Sequence, residues 1–397
     1  MNRSPRILLY SHDTFGLGHL RRNRKIADAI LRSVAGARII LATGSDLAGR
    51  FPPLDGMETV RLPAVTKLDD GSYRSPDADL PLAALLNQRA AVLERAVAEF
   101  CPDIFIADKE PLGLLGELKE TLRLLGRAGT YKVLGLRDVL DDGDRLRVEW
   151  DRRGVTQRLP GLYDEIWIYG PDWFYAPLDG LDLPRDVLST CRNVGFLGSH
   201  ARSGGRAASA TGGADGYILV TAGGGEDGEG LMNQVLAACE CDDPVRRPLA
   251  LLPGPLMAPA ARGELAERAS RLADVRVIDF QADPSPLIAG ASGVVAMCGY
   301  NTFCEVLEAD RPVLFVPREQ PRLEQFIRAK RAAELGAARL IRSREADNAQ
   351  KLAAAINALP DGPRPSAAPQ PFAFDGLDQL GGRIAEIAGG RAVAGTS

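Results

Sequence analysis

Cysteine and histidine are scarce in this chain: six cysteines and three histidines among 397 residues. Cys101, Cys191, Cys239, Cys241, Cys298 and Cys304 show neither the paired CxxC spacing of a zinc site nor the density of a disulfide scaffold, so reduced thiols in a cytoplasm are expected. Long hydrophobic runs are missing too. No apolar stretch approaches the roughly 18 residues that span a bilayer, and the first one, Ile7–Tyr10, is too short for the core of a signal peptide. A soluble protein is expected, at most peripheral at the inner face of a membrane. Nor is there a large charge of one sign. The formal net charge of -4 argues against nucleic acid as the partner, because phosphate binding needs a broad basic field.

What is present is an ordinary globular composition on a chain longer than one hydrophobic core usually supports, which implies two domains and a cleft between them. Short apolar runs alternate with amphipathic helical stretches: Arg6–Tyr10, Ala37–Ala42, Asp103–Ala107, Tyr131–Leu136, Glu165–Tyr169 and Asn193–Phe196. A second series follows at Tyr217–Thr221, Leu249–Leu252, Val275–Asp279, Gly293–Met297, Pro312–Val316 and Ala338–Ile341. Each series reads as parallel βα units, an α/β fold of two Rossmann-like domains. The predicted division is 1–197 for the first domain, 198–216 for a flexible linker poor in large apolar groups and 217–360 for the second domain. A tail, 361–397, carries a helix near Leu377–Ala388 that is expected to cross back to the first domain. Doubly wound sheets bind ligands at the carboxyl ends of their strands.

The first strand runs into Ser11-His12-Asp13-Thr14-Phe15-Gly16-Leu17-Gly18-His19-Leu20-Arg21-Arg22, and a helix follows. Gly16 and Gly18 allow close backbone approach, so this is either an anion-binding turn at a helix N-terminus or only a tight turn. Arg21 stands where a dinucleotide fingerprint needs its third glycine, and Ala42-Thr43-Gly44 supplies no acid for a ribose, which disfavours NAD. His19 is a candidate base for an acceptor hydroxyl. Asp108, just past the strand ending at Ala107, is the candidate to orient it. The alternative is that His19 bonds a loop carbonyl and Asp108 caps a helix. His12 and His200 rank lower, as a loop hydrogen-bonder and a linker residue. The run Arg21-Arg22-Asn23-Arg24-Lys25 is either a solvated face or a seat for a phosphorylated acceptor or anionic lipid.

Later the chain reads Cys298-Gly299-Tyr300-Asn301-Thr302-Phe303-Cys304-Glu305, then Ala309-Asp310-Arg311-Pro312-Val313-Leu314-Phe315-Val316-Pro317, then Glu324-Gln325-Phe326-Ile327-Arg328-Ala329 and Leu335-Gly336. This order resembles the nucleotide-sugar-binding region of UDP-dependent glycosyltransferases, both the bacterial lipid-linked N-acetylglucosaminyltransferases of peptidoglycan synthesis and the family that glycosylates small molecules. The first glycine-rich turn with His19 resembles their first-domain loop. The resemblance implies the GT-B fold, two Rossmann-like domains with parallel sheets facing across a cleft. It implies inverting transfer of a hexose or N-acetylhexosamine from a nucleotide sugar, expected to be UDP-linked, to a small-molecule or lipid-linked acceptor, with no other cofactor and no metal. Helix N–H groups and the hydroxyl at Tyr300 to Thr302 would then meet the diphosphate, simple N-capping being the alternative role of Asn301 and Thr302. By the same resemblance Glu305 would accept the ribose hydroxyls, Glu324 and Gln325 the sugar hydroxyls, and Phe280-Gln281 would grip the base, although a ring at Phe280 could equally be core. Gly223-Gly224-Gly225 makes a further close-approach loop, with Glu226 and Asp227 expected to touch hydroxyls or water.

The chain also departs from that pattern. Cys298 stands where relatives place His or Ser, Asp310-Arg311-Pro312 replaces Gly-x-Pro, and the first loop lacks the glycine run and proline of the peptidoglycan enzymes, so the acceptor does not carry over. Acceptor contacts would come from first-domain loops such as Leu62–Arg74 and Val139–Trp150. Asp142-Gly143-Asp144 reads as a polar loop. Two rival functions share this architecture: a sugar-nucleotide 2-epimerase, and a non-catalytic nucleotide-sugar-binding partner of another transferase.

Overall fold

The runs Arg6–Ser11 (β1), Arg38–Thr43 (β2), Met57–Arg61 (β3), Thr66–Lys67 (β4), Tyr73–Arg74 (β5), Ile104–Asp108 (β6), Tyr131–Arg137 (β7), Glu165–Tyr169 (β8) and Cys191–Asn193 (β9) are the first nine strands. Seven of them form a parallel sheet in the order β3-β2-β1-β6-β7-β8-β9, while β4 and β5 pair antiparallel as a small hairpin. The central strands are mostly apolar, with their charged residues toward the ends, because helices cover both faces of a sheet built from βα crossovers. Ile7, Leu8, Leu9, Phe105, Ile106, Leu134 and Trp167 are fully buried. Six more strands, Tyr217–Thr221 (β10), Leu249–Leu252 (β11), Val275–Val277 (β12), Ala291–Ala296 (β13), Val313–Phe315 (β14) and Arg339–Leu340 (β15), form a second parallel sheet in the order β12-β11-β10-β13-β14-β15. These are two doubly wound sheets.

The computed structural model describes residues 4–12, 17–68, 72–199, 216–225 and 227–394. The chain divides into two units, Met1–Leu197 with Asp375–Ser397, and Gly198–Phe374. The tail helix, Gly376–Ala394, belongs to the first unit and packs on the helix Gly18–Ser33. Arg383 fixes it by donating to Glu165 (Nη2 to Oε1, 2.5 Å). The preceding segment stays with the second unit, where Phe372 packs edge-on against Phe303 with ring centroids 6.4 Å apart.

Several expectations need correction. The strand predicted at Asn193–Phe196 lies earlier, at Cys191–Asn193, because Gly195 adopts φ +76° and ends the extended run. The one predicted to reach Asp279 stops at Val277. β3 escaped notice because it is a half-exposed edge strand, Met-Glu-Thr-Val-Arg, without an apolar run. Asp142-Gly143-Asp144 is no loop: Asp142 N-caps the helix Gly143–Arg153, accepting the Arg145 N–H at 3.4 Å. Most of the linker, with His200, lies outside the described residues. Among the described residues no helix is long and apolar enough to cross a membrane.

Candidate active site

In the first unit the strand order reverses between β1 and β6, and ligands of such sheets bind beside that switch point. Tyr10 pairs with Ala107 across the two strands, so the segments that leave them emerge side by side. They carry the candidate pair. His19 Nδ1 lies 2.6 Å from Asp108 Oδ2. Arg22, one helical turn beyond His19, donates to the same carboxylate from Nε (3.0 Å to Oδ1) and Nη2 (2.6 Å to Oδ2). Asn23 Nδ2 donates to Oδ2 at 3.2 Å and to the His19 carbonyl at 3.0 Å. Arg22 Nη2 also sits 2.9 Å from His19 Nδ1. Two donors cannot bond one another, so the short contact to the carboxylate assigns the ring proton to Nδ1 and leaves Nε2 with the lone pair.

Asp108 is fully buried. Burial by itself would raise its pKa, but the Arg22 guanidinium and His19 outweigh burial and hold the carboxyl well below the usual range. Burial also lowers the His19 pKa against the pull of Asp108, which keeps the imidazole neutral at pH 7. With three side chains on its carboxylate, Asp108 orients groups and does not cap a helix. His12, ranked low from the sequence, is 5% exposed and meets His19 edge-on, ring centroids 4.5 Å apart. Burial first, then His19, holds its pKa well below 6.5.

The basic run is not one surface. Arg22 is 1% exposed and committed to Asp108, so it is no seat for an acceptor phosphate or lipid. Arg24 lies over the Phe51 ring at 5.3 Å, and Arg21 is half-buried. Gly16 is outside the described residues, while a Cβ at Gly18 would meet no atom of the described residues within 4 Å. Sequence reasoning missed the support. Arg22 and Asn23 follow His19 at i+3 and i+4, the spacing that shares one helix face, and that was the available signal. Tyr169 lies beneath the Arg22 guanidinium (5.9 Å), and its hydroxyl occupies the space that a Cβ on Gly135 would need, 1.8 Å away. Behind β1, Glu117 accepts from Tyr10 (2.5 Å) and Arg89 Nε (2.6 Å), while Arg89 Nη2 donates to the His12 carbonyl (3.2 Å).

In the second unit the order reverses between β10 and β13. The turn after β13 holds Cys298 at φ +74°, a left-handed conformation uncommon for a side-chain-bearing residue, and the buried Arg328 steadies it by donating from Nη1 to its carbonyl at 3.0 Å. Gly299 N-caps the helix Tyr300–Glu308 without a side-chain bond, so Asn301 and Thr302 are not caps. Their first-turn N–H groups give that end its partial positive charge. After β10, a Cβ on Gly223 would lie 3.4 Å from Thr302 Oγ1, which sets the glycine loop beside this helix start. Gly225 has φ +90° and no room for a Cβ, which would lie 2.1 Å from the Pro253 carbonyl oxygen, and Gly224 accepts from Leu256 N–H at 3.0 Å. Glu305, one turn on, is 4% exposed.

Glu324 and Gln325 begin the helix Glu324–Glu334 and are turned to protein groups. Glu324 accepts from Arg318 Nη2 at 2.7 Å. With its amide oriented to match its neighbours, Gln325 donates to the Met297 carbonyl (2.6 Å) and accepts from Arg318 Nε (3.2 Å). Asp227, expected to meet hydroxyls or water, forms an ion pair with the same Arg318, while Glu226 lies outside the described residues. Phe280 is half-buried and Gln281 exposed, past the edge strand β12. Arg318 and Arg328 were not singled out from the sequence, since an arginine after a strand or inside a helix has no distinguishing pattern.

Residues 259–371 match the C-terminal domain of glycosyltransferase family 28. Solved glycosyltransferases superpose over nearly the whole chain: UGT89C1 of Arabidopsis thaliana with UDP-L-rhamnose (14% identical, 96% of this chain and 100% of that one, TM-score 0.62) and the kitacinnamycin glycotransferase (17%, 98% and 96%, TM-score 0.57). The fold is GT-B. This GT-B protein is also 30% identical over 79 residues to the UDP-N-acetylglucosamine--N-acetylmuramyl-(pentapeptide) pyrophosphoryl-undecaprenol N-acetylglucosamine transferase of Mannheimia succiniciproducens. That match spans 20% of the chain and 22% of the relative's length. The family 28 match contains every donor-side residue singled out from Phe280 to Gln325.

Proposed function

We propose that this GT-B protein is a glycosyltransferase that moves a hexose or N-acetylhexosamine from a nucleotide sugar, UDP-linked, to an acceptor hydroxyl with inversion. The observation that carries the reading is the His19–Asp108 contact at the switch point of the first unit, which leaves a neutral imidazole with Nε2 as its basic atom. His19 Nε2 takes the proton of the acceptor hydroxyl as that oxygen attacks the anomeric carbon and the bond to the diphosphate oxygen breaks. Asp108 stabilises the imidazolium that forms. The second unit binds the donor: Glu305 accepts the ribose hydroxyls, and the N–H groups from Tyr300 to Thr302 meet the charge on the departing diphosphate. We place Phe280 and Gln281 at the base. Activity that survives EDTA is part of the proposal, as is an acceptor that is a small molecule or a lipid-linked glycan met at the inner membrane face.

A 2-epimerase requires further acid and base groups, whereas one oriented histidine suffices for transfer. A thermal-shift panel of UDP-, GDP- and TDP-sugars identifies the donor, and nucleotide release from it is then followed. His19→Ala is expected to abolish release while donor binding persists. Release undiminished in that variant sinks the assignment of the base.

A further inference from the structure

Arg89, inside the helix Leu82–Phe100, is fully buried together with the Glu117 side chain. Its Nε donates to Glu117 Oε2 (2.6 Å) and its Nη2 to Oε1 (2.9 Å), which pairs the two ions edge to edge. Its other bonds leave the pair. Nη1 donates to the Pro63 carbonyl (2.6 Å), in the segment after β3, and Nη2 also reaches the His12 carbonyl (3.2 Å), just past the end of β1. Glu117 itself belongs to the segment after β6 and accepts from the Tyr10 hydroxyl, which in turn accepts the Leu114 N–H at 3.0 Å. One buried guanidinium thus ties together the segments that follow three strands of the first sheet, at the carboxyl end where such sheets bind ligands.

Stability alone does not account for this pair, because a buried ion pair is often no better than apolar side chains of the same volume. What it supplies, and apolar side chains cannot, is a planar fork of donors aimed at two carbonyls on different segments. His12 has little else to hold its ring: Nδ1 is buried, and among the described residues nothing hydrogen-bonds it. The ring is therefore placed through its backbone, where Arg89 binds, and it meets His19 edge-on with centroids 4.5 Å apart. Resting on the reading of His19 as the base, we infer that Arg89 is a positioning residue of the acceptor side: it sets His12, through His12 the ring of His19, and with them the Pro63 segment, one of the loops expected to carry acceptor contacts. Misplacing a positioned group by about 1 Å costs up to ~100-fold in rate. The donor is spared, because every partner of Arg89 lies in the first unit.

The test follows UDP release from UDP-N-acetylglucosamine by the full chain, with water as acceptor, alongside imidazole spectra of isotope-labelled histidine, of which the chain has three. Arg89→Lys keeps a charge opposite Glu117 but loses the fork. In that variant kcat is expected to fall about 10- to 100-fold with the donor KM within about twofold of native, and the His12 and His19 resonances both move. Arg89→Met combined with Glu117→Leu leaves no charge buried alone and gives the same pattern. Thr130→Val loses a buried bond to the Pro102 carbonyl (2.8 Å) at the amino end of the strands, so it controls for lost stability and keeps native kcat. Native kcat in a folded Arg89→Lys chain overturns the inference. So does a loss of kcat with the two resonances unmoved, an equal loss in Thr130→Val, or failure of both Arg89 variants to fold, which marks a purely structural pair. If His19→Ala releases UDP at the native rate, or the native chain releases none, the reading of the base has failed, and the resonances in Arg89→Lys still show whether Arg89 sets the two rings.

Discussion

Asp108→Asn exchanges one buried oxygen for an amide and deletes the charge on which the first-unit site turns. In the native chain that carboxylate takes His19 Nδ1 at 2.6 Å, both donor edges of Arg22 at 3.0 and 2.6 Å, and Asn23 Nδ2 at 3.2 Å, with no exposure to water. The amide takes away the carboxylate charge that the buried Arg22 guanidinium meets with two donor edges. Breaking such a pair from one side costs about 3–5 kcal/mol, a large part of the ~5–15 kcal/mol that holds a typical domain. The effect on turnover is separate. An asparagine can present its NH2 toward Nδ1, which favours the wrong tautomer and removes the group that stabilises imidazolium, a loss of roughly 10²- to 10⁴-fold. Losing Asp108 also removes an influence that raises the His19 pKa, so the acidic limb of kcat/KM moves to lower pH. Urea unfolding measures the first effect, and nucleotide release at saturating donor, under conditions where circular dichroism shows the variant folded, measures the second. Arg22→Met is the control: it destabilises the fold but spares the His19–Asp108 bond, so it retains far more turnover than Asp108→Asn. A folded Asp108→Asn chain with native turnover and an unmoved pH profile would refute the reasoning.

Glu305→Gln keeps the volume of a 4% exposed side chain and removes its charge; UDP binding by calorimetry is expected to weaken about 10-fold or more, the scale of a charge-assisted bond. His12 and His19 both have lowered pKa values in the fold, so below about pH 6.5 the unfolded chain binds more protons than the folded one. Stability measured by urea unfolding therefore rises with pH toward 6.5 and falls as pH drops below it, and His12→Phe flattens that slope. Asp108, held low, adds a further loss as pH falls through the ordinary carboxylate pKa near 4. Gly376→Ala places a Cβ 2.7 Å from the carbonyl oxygens of Val194, Gly195 and Phe196; a destabilisation of about 1–3 kcal/mol and faster proteolysis of the tail helix are expected.

Much of the architecture was written in local pattern. Central parallel strands are buried on both faces, so runs such as Arg6–Tyr10 and Tyr217–Thr221 stand out as unbroken apolar stretches, and ten of the twelve runs read as strands overlap closely with strands of the sheets. Edge pieces were not legible: β3 alternates polar and apolar residues at half exposure, and β9 is displaced by the left-handed turn at Gly195. His19 and Asp108 were picked out as a pair because each follows the carboxyl end of an apolar strand. Their supporting shell was not. Arg22 sits in a basic run that reads as solvated helix surface, and only the fold shows that it is the buried counter-charge of Asp108.

The same division runs through the second unit. The order of Cys298-Gly299, Glu305 and Glu324-Gln325 was read from the chain, because residue types recur at fixed spacing around a strand–turn–helix. That Glu324 holds Arg318, that Asp227 shares it, and that Arg328 steadies the carbonyl of a left-handed Cys298 follow only from the packed chain. The sequence by itself determined two βα series, their strands and the residue types at their carboxyl ends. The tertiary structure decided which charges are buried together, because a side chain's partner depends on strand order and helix rotation, and those are fixed by contacts between residues far apart in the chain, such as His19 with Asp108 and Glu165 with Arg383.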